Sequence, residues 1–203
     1  MTGRKNGLLA LIAAGLGLLL PGHALAGKVI LPRPGDIGFA GFAQYGTLLK
    51  QGEIGEEFGS GAGLGFRLRY RMRYERALGL TFERQGFDPR NKSAADTAAA
   101  NTTLIATGLE MYQMFGTRTR TTRMLSVGVG LAQVTQKLND DETLASGPGV
   151  GDGFFVSLGG GVEYFIWQSW AVDVSMRYHA VILHETTNHD FQIGIGVVFY
   201  ASD

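Results

Sequence analysis

No cysteine occurs among the 203 residues, proline appears only 5 times, and neither sign of charge is in excess, with 18 Lys and Arg against 18 Asp and Glu. Without cysteine there are no disulfides and no cysteine-borne lipid anchor, so an exported chain must find its stability in a large core or a membrane. The balanced charge points away from nucleic acid, which selects a basic surface. Glycine is abundant, at 31 residues, but it follows no collagen period and needs another explanation. Helical periodicity is missing too, once the N-terminal segment is set aside. What the chain has instead is alternation.

The N-terminal segment has the layout of a secretory signal peptide. Arg4 and Lys5 precede an apolar run from Gly7 to Leu20, and Ala24-Leu25-Ala26 is a small-x-small cleavage site. The run is shorter than the ~20 residues a spanning helix needs. The expected division is a signal peptide over 1–26 and one domain over 27–203, with a slight acidic excess once Arg4 and Lys5 are removed.

In the stretch 61–74, GAGLGFRLRYRMRY, every even position is apolar and every odd position is glycine or arginine. Such strict alternation marks a β-strand with one dry face. The pattern recurs and predicts eight strands, at about 37–46, 61–74, 77–86, 102–115, 123–136, 153–165, 169–181 and 190–200. The first is the least regular, because Phe39 and Tyr45 share one phase while Phe42 sits in the other. Connections near 47–60, 87–101, 137–152 and 182–189 read as long or moderately long and polar. Those near 75–76, 116–122 and 166–168 are short. Long and short ends in alternation describe an antiparallel up-and-down meander, which can close on itself and lose its edges.

The polar phase decides which way a closed barrel faces. It reads Ser126, Gly128, Gly130, Ala132 in the fifth strand, Ser157, Gly159, Gly161 in the sixth and Gln192, Gly194, Gly196 in the eighth. These residues make a poor solvent face, with little charge and little β-propensity, but they suit a narrow interior. On the same phase lie Arg67, Arg69, Arg71 and Arg177 with Glu83, Glu110, Glu163 and Asp173. Such charges must pair if they leave water, and the arginine fork suits carboxylates. The expectation is an interior charge network with glycines providing space. If both termini are periplasmic, the other phase sets Tyr70, Tyr74, Phe115, Tyr164, Trp170 and Phe199 at one rim, and Phe82, Phe154, Tyr178 and Phe191 at the other. Two aromatic belts around an aliphatic band are what a bilayer selects. The rival is a soluble lipocalin-like barrel with its apolar face inward.

With these features the chain resembles the small eight-stranded outer-membrane barrels of the OmpA/OmpX type. The C-terminal Gln192-Ile193-Gly194-Ile195-Gly196-Val197-Val198-Phe199 is similar to that superfamily's assembly signal, with Gln192, Gly194, Val197 and Phe199 at the pattern positions. One departure is that Tyr200-Ala201-Ser202-Asp203 follow the aromatic. The resemblance implies an all-β transmembrane barrel in the cell outer membrane, inserted by the outer-membrane assembly machinery, with outer-membrane lipids and lipopolysaccharide as its surroundings.

Chemistry is harder to find. His184-Glu185-Thr186-Thr187-Asn188-His189 has three residues between Glu and the second His, and it lies in a loop, without the helical spacing of a zinc site. Asp140-Asp141-Glu142 lacks a spaced ligand set. Neither a metal nor a cofactor is expected. Asp173, Ser175 and His179 share one strand face, but the four residues from Ser175 to His179 span roughly 14 Å, too far for nucleophile activation. The barrel lipid A deacylases carry a His-x-Ser pair, and here the third position is Val181. A serine on another strand near His179 stays open. Arg84 and Lys137 fall on the lipid-facing phase at the loop end, where cations meet headgroups, and are expected to contact lipopolysaccharide phosphates. The expected role is structural, in envelope integrity or surface interaction. The alternatives are a lipid A-modifying enzyme and a small pore or lipid-transfer barrel.

Overall fold

A computed structural model of the chain describes residues 30–90, 99–138, 143–144, 150–183 and 186–201. The signal segment, Asp140-Asp141-Glu142 and His184-Glu185 lie outside the described residues. Eight long strands form the fold: β1 Ile37–Leu48, β2 Ser60–Arg73, β3 Arg76–Phe87, β4 Ala99–Phe115, β5 Thr121–Leu138, β6 Gly151–Trp167, β7 Trp170–Leu183 and β8 Thr186–Ala201. Each pairs antiparallel with the next, and β8 pairs back onto β1 from Ile37↔Ala201 to Leu48↔Asp190. The sheet is therefore a closed up-and-down barrel. Thr143–Leu144 adds a short pair against the far end of β5.

Burial alternates along the strands, as a closed sheet with two unlike faces requires. The outward face is apolar: Leu64 is 70% exposed and Leu158 64%, with Leu131, Phe154, Val129 and Ile193 alongside. Both sets of belt aromatics are on this face. A water-soluble protein does not expose apolar surface on this scale, so the lipocalin-like orientation is excluded. No helix among the described residues is long and apolar enough to cross a membrane; here the strands cross.

Two elements differ from the sequence expectation. The connection read at 182–189 shrinks to residues 184–185, because β7 runs to Leu183 and β8 starts at Thr186. Its polarity reflects alternation beyond the apolar band: Asn188 and Asp190 point inward, while His189 faces out and meets Tyr178 at 2.5 Å. The loop after β1 is not wholly irregular either. It holds the short helix α1, Glu53–Glu57, five residues and too brief to leave a periodic trace.

Candidate functional site

The lumen is filled in three layers. At the loop end α1 is drawn into the barrel mouth, where Ile54 and Phe58 join Leu48, Phe87, Leu104, Val134, Phe155 and Leu183 in one buried cluster. Backbone bonds lock it there: Ile54 N–H donates to Asn188 Oδ1 at 3.0 Å, and Arg90 Nε donates to the Gly55 carbonyl at 2.9 Å. At the terminal end the segment before β1 folds across the opening. Pro32 is buried, and Leu31 packs on Phe165, Ala171, Val198 and Tyr200. The interior charge network expected from the sequence is thus only the middle of the filling, with apolar side chains above and below it. An eight-stranded interior is just wide enough to fill with side chains, and apolar ones fill its ends without a desolvation penalty.

Between these layers sit the eight charges, all buried, in two linked groups. Toward the termini, Glu163 accepts hydrogen bonds from Arg69 Nη1 and from the Tyr200 hydroxyl, the latter at 3.0 Å to either oxygen. Arg71 Nη2 lies 3.6 Å from Glu163, and Arg69 Nη2 3.6 Å from Asp173. Toward the loops, Arg177 bridges two carboxylates, donating to Glu83 at 2.5 Å and to Glu110 at 2.8 Å. Tyr112 donates its hydroxyl to Glu110 as well. Arg67 is the loosest member, 3.7 Å from Glu110 and 3.9 Å from Glu83, with its guanidinium 4.4 Å from the Phe42 ring centroid. Arg69 sits similarly over Tyr112, at 4.5 Å. Charge-assisted hydrogen bonds and cation–π contacts both strengthen when dry.

Register explains the glycines. Gly65 faces Glu83, Gly79 faces both Arg69 and Glu110, Gly128 faces Glu110, Gly159 faces Arg177 and Gly196 faces Asp173. Gly128 and Gly159 leave room for Glu110 and Arg177 themselves, Gly65 and Gly196 for Phe42, and Gly79 for Tyr112. A Cβ on Gly65 would lie 2.2 Å from Phe42 Cζ, and one on Gly128 would lie 2.9 Å from Glu110 Cγ.

Several members of this core were not read as lumen residues from the sequence: Phe42, Gln44, Gln85, Tyr112, Asp190 and Tyr200. All share the inward phase, so the signal was there. Gln192, noted for its place in the C-terminal pattern, also belongs to this core, donating to Gln85 at 2.8 Å and to Asp190 at 2.7 Å. Of the other pattern positions Gly194 faces inward, while Val197 and Phe199 face out, the Phe199 ring 5.0 Å from that of Trp170. Arg84 is exposed on the outer wall between Leu64 and Ile105. Lys137 pairs with Asn101; its side chain is outside what is described.

The serine left open near His179 can be placed. Ser157 and Asp190 flank His179 on the neighbouring strands. All three are buried inside the barrel, and His179 Nδ1 lies 3.3 Å from Gln192 Nε2. His179 Nε2 has no hydrogen-bond partner among the described residues. The imidazole's hydrogen-bond contact among the described residues is thus with Gln192, and not with Ser157 or Asp190. Asp173, the acid of the alternative trio, is committed to Arg69. Among the described residues no group of three or more His, Cys, Asp or Glu is placed to hold a metal.

With a closed barrel, an apolar exterior and a charged interior, the family follows. Residues 13–199 match the family model described as outer membrane protein beta-barrel domain. The chain belongs to this outer-membrane β-barrel family. Its place is the outer membrane of the Gram-negative envelope, with its strands as the transmembrane elements. Among solved structures the barrel is similar to Neisserial surface protein A, at 14% identity and TM-score 0.60, over 81% of this chain and 98% of that one. The outer-membrane protein OprG of Pseudomonas aeruginosa aligns at 13% identity and TM-score 0.60, over 87% and 100%. The N-terminal barrel of Pseudomonas aeruginosa OprF aligns at 15% and 0.55, over 84% and 100%. At these identities the likeness is one of fold alone. Among curated proteins none matches this β-barrel chain.

Proposed function

We propose that this barrel is a closed structural element of the outer membrane, serving envelope integrity and surface contact rather than transport or catalysis. The observation that carries this reading is the filled lumen. The void beside Phe42, Arg67, Ser175 and Gln192 measures about 0 Å³, and that beneath α1 about 10 Å³, less than or near the volume one water needs. An aqueous path needs continuous polar space, and the two apolar layers interrupt it. The test is conductance in planar bilayers. The proposal predicts no discrete steps above the bare membrane, and reproducible steps would favour the pore or lipid-transfer reading. The enzyme reading has weaker support, since His179 is sealed inside. A knockout strain with altered lipid A acylation would revive it.

Contact with lipopolysaccharide is proposed through Arg84, whose guanidinium stands at the loop end of the outer wall, and through Lys137 by its position on β5. Replacing both with alanine should reduce lipopolysaccharide co-purification. Unchanged co-purification and an intact permeability barrier would remove this part of the proposal. Recognition by the assembly machinery is proposed through β8, with Val197 and Phe199 outward and Gln192 inward.

A further inference from the structure

The register of β3 to β6 lines up Arg76, Gln113, Leu125 and Gly160 in one row across the outer wall. The next row toward the loops is Leu78, Met111, Val127 and Leu158, and the next toward the termini holds Phe115, Arg123 and Val162. Where Gly160 omits a side chain the row is incomplete. Beside it the wall opens into a furrow of about 410 Å³, lined by Arg76, Met111, Gln113, Leu125, Val127 and Leu158. That volume is within the range of ligand sites, ~300–1,000 Å³.

Two features distinguish this place. A barrel wall is convex, yet here it is concave. The outward phase is mostly apolar, and toward the termini it carries two exposed arginines, Arg76 and Arg123, with Gln113 beside them. The ion pairs among the described residues all belong to the lumen, so none of these carboxylates neutralises either arginine. Arg118 and Arg120, exposed in the adjoining turn, add to the local positive charge, with Arg118 over the Tyr74 ring at 5.6 Å. Glu75, exposed in the turn before Arg76, is one carboxylate against the four arginines Arg76, Arg118, Arg120 and Arg123, so the corner stays net positive, and arginines at a membrane face are stable at headgroup depth beside an anion. Short turns mark the periplasmic end of such barrels, which puts the furrow in the inner leaflet.

We propose that the furrow holds one anionic glycerophospholipid of the periplasmic leaflet. Its phosphate meets Arg76 and Arg123, Gln113 donates to the ester region, and one acyl chain lies along Met111, Val127 and Leu158. Charge complementarity selects the headgroup, and the apolar furrow selects a lipid over a soluble phosphate. The inference rests on the membrane orientation and not on the closed lumen, so its failure leaves the proposed function standing.

The test is native mass spectrometry of the mature protein folded in detergent, titrated separately with phosphatidylglycerol, phosphatidylcholine and lipopolysaccharide. One retained phosphatidylglycerol per barrel is expected, bound about tenfold or more tighter than phosphatidylcholine, as one or two charge-assisted contacts allow. Arg76→Gln with Arg123→Gln should abolish that preference. Leu158→Trp, which fills the furrow from an exposed position, should weaken both phospholipids while leaving the arginines in place. Arg84→Gln at the opposite rim should change neither. All four positions face outward, and gel mobility before and after boiling verifies folding. Equal retention of the two phospholipids by the wild type, unchanged binding in both furrow variants, or stronger retention of lipopolysaccharide at this furrow would overturn the proposal.

Discussion

Removing Glu163 should be among the most damaging single changes in the lumen. It is fully buried and serves three partners at once: Arg69, Arg71 and the Tyr200 hydroxyl. Glu163→Ala deletes two hydrogen bonds to a charged acceptor, each worth ~1.5–3 kcal/mol. It also leaves Arg69 with Asp173 at 3.6 Å as its one carboxylate, beside the Tyr200 hydroxyl at 3.2 Å. The expected loss is about 3–5 kcal/mol, the range for breaking one side of a buried ion pair. The assay is equilibrium unfolding in guanidinium with the barrel in detergent or vesicles, followed by tryptophan fluorescence and gel mobility. Adding Arg69→Met together with Asp173→Asn should recover a large part of the loss, because the stranded cation rather than the missing anion is the main penalty and the buried Asp173 would otherwise lose its partner in turn. If Glu163→Ala unfolds at the wild-type midpoint, the charges are hydrated or unpaired and the dry-network reasoning is wrong. A triple variant no better than the single would refute the stranded-cation part alone.

Other outcomes follow from the packing. Gly108 and Gly130 are cross-strand partners, and a Cβ on either would lie 2.6 Å from the Phe155 ring; Gly130→Val should destabilise the barrel by ~1–3 kcal/mol through overpacking, measured by the same unfolding curves. Arg67→Met should cost less than Glu163→Ala, since Arg67 makes only long ion contacts and its stack on Phe42 tolerates an apolar replacement; a larger loss would show that its charge balance matters more than its contacts. Deleting α1 should not produce conductance, because the charge layer and the terminal-end layer remain; discrete channel steps in that variant would show that the helix alone closes the barrel.

How much of this was legible in the sequence follows from what a period of two can carry. Alternation tells which residues share a face, so the eight strands and the shared phase of Arg67, Arg69, Arg71 and Arg177 were readable. The glycine-rich phase, opposed by aromatics at two heights, was enough to orient that face inward. Pairing partners were not readable, because they depend on register between strands distant in sequence: Arg177 meets Glu83 across 94 positions. The same limit hid the adjacency of Ser157, His179 and Asp190. Phe42 looked like a phase error, and only the space left by Gly65 and Gly196 on neighbouring strands explains it. The closures at the ends were invisible for another reason. α1 is shorter than any window that detects helical period, and the stretch around Leu31 and Pro32 has no repeating pattern at all.

The most direct test of the account exploits the absence of cysteine, which makes single-cysteine labelling clean. Leu131→Cys on the outer wall and Ser157→Cys in the lumen would be labelled in vesicles, with a polarity-sensitive thiol dye and a lipid-borne quencher. The account predicts that the Leu131 position reports a lipid environment and is quenched from the bilayer, while the Ser157 position stays unreactive until the barrel is unfolded. A Leu131 cysteine open to water-soluble reagents and untouched by the lipid quencher, or a Ser157 cysteine that labels freely in the folded protein, would contradict it.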